Sequence, residues 1–319
     1  MVYNDSCSKE RSYTLLMTGC NHNEFTCNDA TCVSMSLRCD GSTDCQDGTD
    51  EADCNIFVTS LGYNKHLVPP TENGGKLKIN LSIEIVEIIE INEMKNFFRV
   101  KFNLGRTWYD KRLTYHNLKK TDSGNTIPLD HQKSIWKSWL TFDNIENKGK
   151  SKRTDDADKM IIAPFNYSDF EYSDITHLSN SQLFQGSKSA IIDHDQYSVE
   201  WLCDFHMEWY PFDTQICTMH FTNKVENVKF VQDTLNYLGP KQLPQHFVDN
   251  VSMCLKNVKE GQNIIVEVVF GRPLFATFLT TTLPTVMLIV ISQMATSFSD
   301  DYLDMVIQVN LTVLLVLAT

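Results

Sequence analysis

Cys203 and Cys217 flank the run Asp-Phe-His-Met-Glu-Trp-Tyr-Pro-Phe-Asp-Thr-Gln-Ile. In a cysteine-rich chain this spacing reads as a disulfide closing a short loop. Closing a loop of about 15 residues removes roughly 3 kcal/mol of unfolded-state entropy in the simple chain model. Inside it Phe205, Met207 and Trp209 alternate as on a strand. Tyr210-Pro211-Phe212-Asp213 then forces a turn, because the pyrrolidine ring fixes φ at Pro211. The expected product is a rigid apolar tip suited to docking against another apolar surface.

Ten cysteines place the chain in an oxidising compartment. Sequons at Asn4, Asn80, Asn166 and Asn250 agree with secretory passage. A net charge of −12 with widely spread acids argues against nucleic acid as a partner. The sequence offers no nucleophile–base pair, phosphate loop or zinc spacing, so an enzyme is not expected. At 319 residues the chain is long enough for two domains or more.

Cys20, Cys27, Cys32, Cys39, Cys45 and Cys54 crowd a segment with few large apolar side chains. Such a piece cannot fold on burial alone and needs disulfides or a metal. Asp40, Asp44, Asp47, Asp50, Glu51 and Asp53 gather at its end. That much negative charge repels itself unless a hard cation sits among the carboxylates, and an oxygen-rich flexible site points to calcium. Cys7 and Cys254 have no assigned partner.

Residues 55–75 contain Pro69-Pro70 and Asn73-Gly74-Gly75 and read as a linker. From Lys76 the pattern turns to strands: Leu77, Ile79, Leu81, Ile83 and Ile85 alternate with polar residues, as do Phe98, Val100, Phe102 and Leu104. Further strands are predicted around 135–142, 197–207, 215–221 and 263–270, giving an all-β, immunoglobulin-like sandwich. Polar residues 145–180 read as a long excursion. Residues 273–292 then form an uncharged apolar run long enough to span a bilayer. A second apolar run occupies 303–319. The first residues lack a signal-peptide pattern and the second apolar run stops at the last residue, so the chain reads as part of a longer polypeptide.

Two family resemblances emerge. Phe25-x-Cys27, then Arg38-Cys39-Asp40-Gly41-x-x-Asp44-Cys45-x-Asp47-x-x-Asp50-Glu51-x-x-Cys54, resembles the LDL-receptor class A repeat. That resemblance implies bonds Cys20–Cys32, Cys27–Cys45 and Cys39–Cys54. It also implies a calcium cage of Asp40, Asp44, Asp50 and Glu51 with the carbonyls of Leu37 and Ser42. Repeats of this kind that capture lysine use an aromatic residue and a further acid where this chain has Leu37 and Ser42. A structural or spacing role is therefore expected here.

The loop 203–217 resembles the signature loop of the Cys-loop receptors, the pentameric ligand-gated ion channels. Trp108-x-Asp110-x-Arg112-Leu113 and Ile135-Trp136-Lys137-Ser138-Trp139…Asn144 resemble further motifs of that family, with Ser138 in place of the usual proline. The resemblance makes residues 76–271 an extracellular ligand-binding domain whose tip, Tyr210, Pro211, Phe212 and Asp213, passes motion to the pore. In this family an aromatic box between subunits binds the transmitter, and cation–π attraction holds an ammonium group there. Carried over by spacing, three box positions fall on Asn103, Asp143 and Lys224, none of them aromatic. The implied agonist site is degenerate for amines.

Gly271-Arg272-Pro273-Leu274-Phe275, with Pro284 further on, resembles the first membrane helix of the same receptors. Leu311-Thr312-Val313 resembles their pore-lining helix, which puts the hydrophobic gate on Val309. Asp300, Asp301 and Asp304 would then form rings of carboxylates in a pentamer, favouring cations. No Pro-Ala-Arg sequence occurs, and no Lys or Arg follows Arg272.

The resulting expectation is a plasma-membrane channel subunit, cation-permeable and orphan or auxiliary, that assembles with family subunits as a homo- or hetero-pentamer in the lipid bilayer. Its N-terminal region, with residues 1–19 as remnant or linker and 20–54 as the calcium repeat, faces the outside, open to an extracellular small-molecule or protein ligand. The alternative is a membrane-anchored adhesion or binding protein without channel activity.

Overall fold

The computed structural model describes residues 17–21, 24–52, 54–71, 74–116, 118, 125–145, 152–153, 159–164, 183–258, 261–295 and 303–318. The strands are β1 (Glu24–Thr26), β2 (Cys32–Ser34), β3 (Phe57–Thr59), β4 (Leu77–Asn92), β5 (Phe97–Trp108), β6 (Leu113–His116), β7 (Thr141–Phe142) and β8 (Lys152–Arg153). They continue with β9 (Lys159–Pro164), β10 (Leu183–Gln185), β11 (Ser189–Leu202), β12 (Thr214–Asn223), β13 (Val228–Tyr237), β14 (Phe247–Val258) and β15 (Gly261–Gly271). The helices are α1 (Leu129–Gln132), α2 (Leu274–Thr277), α3 (Leu283–Ala295) and α4 (Leu303–Ala318), with a π turn at Phe278–Thr282.

The chain divides into two compact units. The first comprises Met1–Leu77, Arg106–Lys137 and Lys159–Asp193. It holds the cysteine-rich repeat, where β1 and β2 form a small hairpin over Phe25, Cys27 and Cys45, and a sheet in the order β10-β6-β3. Trp108 packs edge-on against Trp136 with ring centroids 5.7 Å apart. Asp110 pairs with the Arg112 guanidinium, which also donates to the carbonyls of Asn64, at 3.2 Å, and Leu67, at 2.9 Å. Tyr63 Oη donates to Asp110 at 3.2 Å and accepts from the Trp136 amide at 2.9 Å. Burial pushes the Tyr63 hydroxyl up to about 12, which keeps it a neutral donor.

These bonds correct the reading of 55–75 as a linker. Phe57–Thr59 is a strand paired with β6, and Arg112 and Tyr63 tie down the polar residues after it. Turn-rich composition conceals a segment whose order comes from distant side chains.

The second unit comprises Lys78–Gly105, Ser138–Asp158 and His194–Thr319. One sheet runs β13-β4-β5-β11-β8, and a second runs β14-β15-β12-β7. The two are layers of a sandwich: Phe98 of β5 meets Phe270 of β15, and Phe102 of β5 meets Phe221 of β12, at 6.1 and 5.7 Å. Alternation explains the strands, since Leu77, Ile79, Leu81, Ile83 and Ile85 are all buried.

Two predicted strands are corrected. Within 135–142 only Thr141–Phe142 is strand, because Ile135 and Trp136 are buried from irregular backbone. The strand predicted over 197–207 stops at Leu202, and Phe205, Met207 and Trp209 lie in coil and turn despite their alternation. Among the described residues no ladder partner faces 203–209; Gln215 holds it instead, accepting from the His206 amide at 2.9 Å and donating to its carbonyl at 2.8 Å.

The apolar run predicted over 273–292 is helical from 274 to 295 but divided. Pro284 has no amide hydrogen to donate, and the turn before it widens to π geometry. Among the described residues, no single helix is long and apolar enough to cross a membrane.

Candidate functional site

The loop 203–217 is closed by a disulfide with Cα atoms 5.1 Å apart. Its tip turns through bonds from the Tyr210 amide to the Met207 carbonyl and from the Phe212 amide to the Trp209 carbonyl. Trp209 and Phe212 are 77% and 74% exposed, a large apolar surface presented to the outside. Pro211, preceded by a cis peptide, is half-buried.

Asp213, at the loop's end, is buried and bound to Arg272, whose Nε donates at 2.7 Å. Arg272 follows β15 and immediately precedes the apolar helices. Its Nη2 reaches Glu93 in the β4–β5 hairpin, and its guanidinium lies 4.9 Å from the Tyr210 ring centroid. The hairpin also touches the loop through the Cys203 amide, which donates to the Asn96 carbonyl at 2.9 Å. His246, just before β14, is buried with Nε2 2.9 Å from the same Glu93 oxygen, close but not aligned as a hydrogen bond.

Electrostatics hold Asp213 and Arg272 ionised. Burial alone would raise the Asp213 carboxyl, but donors from Arg272 and Gln215 outweigh it and hold the group below its usual range. Burial would likewise lower Arg272, and Asp213 and Glu93 more than reverse that. Burial, with Arg272 nearby, lowers His246 and so favours the neutral ring, against the pull of Glu93 and Asp213. The arrangement can couple mechanically, since one guanidinium clamps a loop end and a hairpin to the strand that enters the helices. Sequence reasoning picked out Asp213 but missed Arg272, Glu93 and His246 as its surroundings. Arg272, a lone charge bounding an apolar run, was the only local signal.

The three box positions lie on polar surface. Asn103 of β5 donates to Glu84 of β4 and accepts from Gln196 of β11, both at 2.8 Å, forming a polar ladder across three strands. The Asp143 carboxylate accepts from Thr222 Oγ1, and its amide donates to the His220 carbonyl at 3.0 Å. Lys224 is exposed just past β12. β7 and β12 thus bring Asp143 near the end of the strand that Lys224 follows, whereas Asn103 is on the other sheet. The neighbouring aromatics pack on one another, with Phe102, Trp201 and Phe221 buried and Phe142 and Tyr197 half-buried: Phe102 and Phe142 meet Tyr197, Trp201 and Phe221 at centroid distances of 5.2 to 6.2 Å.

In the repeat the structure pairs Cys20 with Cys32, Cys27 with Cys45 and Cys39 with Cys54. Cys254 is free and exposed; Cys7 lies outside the described residues. The Asp40 carboxylate accepts from the Ser42 amide at 2.8 Å, and Glu51 accepts from the amides of Asp40 and Gly41 at 2.8 and 3.1 Å. Asp50 is fully buried: one oxygen accepts from the Asp44 amide at 2.6 Å, and the other, Oδ1, has no hydrogen-bond partner. An orphaned buried carboxylate oxygen is costly, and a hard cation bound there would satisfy it. The oxygen donors are of the kind calcium takes, with Asp40, Asp44 and Glu51 as the other carboxylates near Asp50 in the chain, but among the described residues no three of these four carboxylates bring oxygens within 4.8 Å of one another. Asp53 lies outside the described residues.

Of the pore candidates, Asp304 is exposed in the first turn of α4 and Val309 is half-buried. Asn310 of α4 meets Ser292 of α3 in a hydrogen bond. Asp300 and Asp301 lie outside the described residues.

Comparison with known proteins gives two family matches and three relatives. Residues 55–260 match the neurotransmitter-gated ion-channel ligand binding domain, and residues 18–54 match the low-density lipoprotein receptor domain class A. The chain is similar to the betaine receptor acr-23 of Caenorhabditis elegans, 24% identical over 50% of this chain and 25% of that protein. It is also similar to neuronal acetylcholine receptor subunit beta-2 of Gallus gallus, 26% identical over 60% of this chain and 32% of that one. A third relative is the serotonin-gated chloride channel mod-1 of Caenorhabditis elegans, 21% identical over 59% of this chain and 35% of that one. The matches thus span about a quarter to a third of these relatives' lengths.

Proposed function

Since the chain belongs to the neurotransmitter-gated ion-channel receptors and carries an N-terminal LDL-receptor class A module, we propose that it is a subunit of a pentameric ligand-gated channel in the plasma membrane, with the sandwich and repeat outside the cell. The observation that carries this reading is the Arg272 clamp. One buried side chain joins the disulfide loop at Asp213, the β4–β5 hairpin at Glu93 and the strand that leads into α2. A movement of the sandwich is thereby delivered to the helices, and the exposed tip at Tyr210, Pro211 and Phe212 bears on the membrane end.

The agonist is not an amine held by an aromatic box on this subunit's own faces. Asn103, Asp143 and Lys224 supply hydrogen bonds and charge where the box needs rings, so the subunit is auxiliary or answers a different ligand. Relatives include by name both an acetylcholine receptor and a serotonin-gated chloride channel, so ion sign rests on this chain's own residues. Asp304, with Asp300 and Asp301 before it, argues for cations, and Val309 is the proposed constriction. The helical path 274–295 and α4 are the proposed membrane segments, in contact with lipid and with neighbouring subunits. Calcium in the repeat holds Asp50 and its neighbours together, and the repeat serves as a spacer.

The test is current recording from cells expressing the subunit alone and with other subunits of the family. Current that requires the subunit supports the reading. A surface-expressed chain that alters no current with any partner would leave a membrane-anchored binding protein as the better account.

A further inference from the structure

His246 is buried beside the clamp without a hydrogen bond to it. The ring is 2% exposed, and its Nε2 lies 2.9 Å from the Glu93 oxygen that Arg272 also holds. It lines a cleft of about 300 Å³ with Ile88, Ile91, Leu243 and Pro244, which gives solvent protons a path to it. We infer that protonation of His246 draws Glu93 from Arg272 to the imidazolium and so releases the β4–β5 hairpin from the end of β15, making the clamp acid-sensitive.

Every charged group around the ring bears on this. Glu93 faces it from the hairpin, Arg272 from the end of β15 and Asp213 from the start of β12. Glu90, in the same cleft on β4, is paired with Arg99 at 3.4 Å. With a neutral ring the cluster holds one cation and two carboxylates, and Arg272 bridges both. A charged ring adds a second cation that contacts Glu93 but repels Arg272. The Coulomb preference is then one carboxylate per cation: Glu93 with His246, Asp213 with Arg272. Burial and Arg272 keep the ring neutral at pH 7, so the exchange is set below the ordinary histidine value of about 6.5.

Spin labels on native Cys254, free and exposed in β14, and on Met94→Cys at the hairpin tip, 98% exposed, test this in the full chain with Cys7→Ser. Pulsed-dipolar distances are compared at pH 7.5 and 5.0. The expected result is one distance distribution at pH 7.5 and a second population at pH 5.0, absent in His246→Gln. His246→Asn serves as the second variant should the first not fold. An acid-induced change that persists without His246, or no change in the parent, would overturn the inference. The readout needs no current, so it stands apart from the channel assignment.

Discussion

Replacing Arg272 by methionine is the sharpest perturbation of the clamp. Methionine keeps much of the length and can lie beside Met207 and Tyr210, so the loss is mainly electrostatic. The side chains of Arg272 and Asp213 are 5% and 3% exposed, and that of Glu93 is 23% exposed. Removing one partner of a buried ion pair leaves an uncompensated charge and costs about 3–5 kcal/mol. We expect R272M to fall in that range by urea unfolding in detergent at pH 7.5. Without Arg272, burial dominates at Asp213 and raises its carboxyl, where the parent holds it lowered. Its contribution therefore reverses sign: a penalty at neutral pH that eases as acid protonates the group. Adding Asp213→Asn should recover about 2 kcal/mol, a coupling measured by the double-mutant cycle. A single-mutant cost below about 1 kcal/mol, or strictly additive costs, would show that the clamp is peripheral.

Chelating calcium should destabilise the repeat by about 2.7 kcal/mol at a starting concentration of 100 times Kd, and Asp50→Asn should remove the calcium heat in calorimetry; a parent that binds no calcium would refute the cage. Because His246 is lowered in the fold, the unfolded state binds more protons as pH falls through about 6.5, so stability should drop there in the parent and stay flatter in H246Q. Gly186→Ala puts a Cβ 2.1 Å from the Asp110 carbonyl oxygen, which cannot swing aside, and should cost about 1–3 kcal/mol in thermal unfolding. Acetylcholine, serotonin and histamine should show no saturable binding to this subunit's faces; binding that needs Asp143 and survives Lys224→Ala would contradict that.

What was legible in the sequence was whatever has a local period or a fixed spacing. β4, β5, β12 and β15 could be read because one face is buried, so apolar residues recur every second position. The cysteine pairs followed from resemblance to repeats with the same spacing. The clamp was not legible, because Asp213 and Glu93 stand 59 and 179 residues from Arg272 and only tertiary folding brings them together. Alternation misleads at 203–209, where among the described residues the apolar side chains two apart have no strand beside them. The strand at 57–59 was hidden for the converse reason: too short to show a period, it is held by pairing with β6 and by Arg112 and Tyr63.

Transmission through the clamp is tested by current measurement in cells matched for surface expression, comparing the parent subunit with R272M. The expected current depends on the subunit, reverses with the cation gradient and falls at least about tenfold in R272M, the equivalent of about 1.4 kcal/mol of lost coupling. A current that follows chloride would contradict the proposed selectivity, and one that is unchanged in R272M would contradict transmission through the Asp213–Arg272–Glu93 clamp.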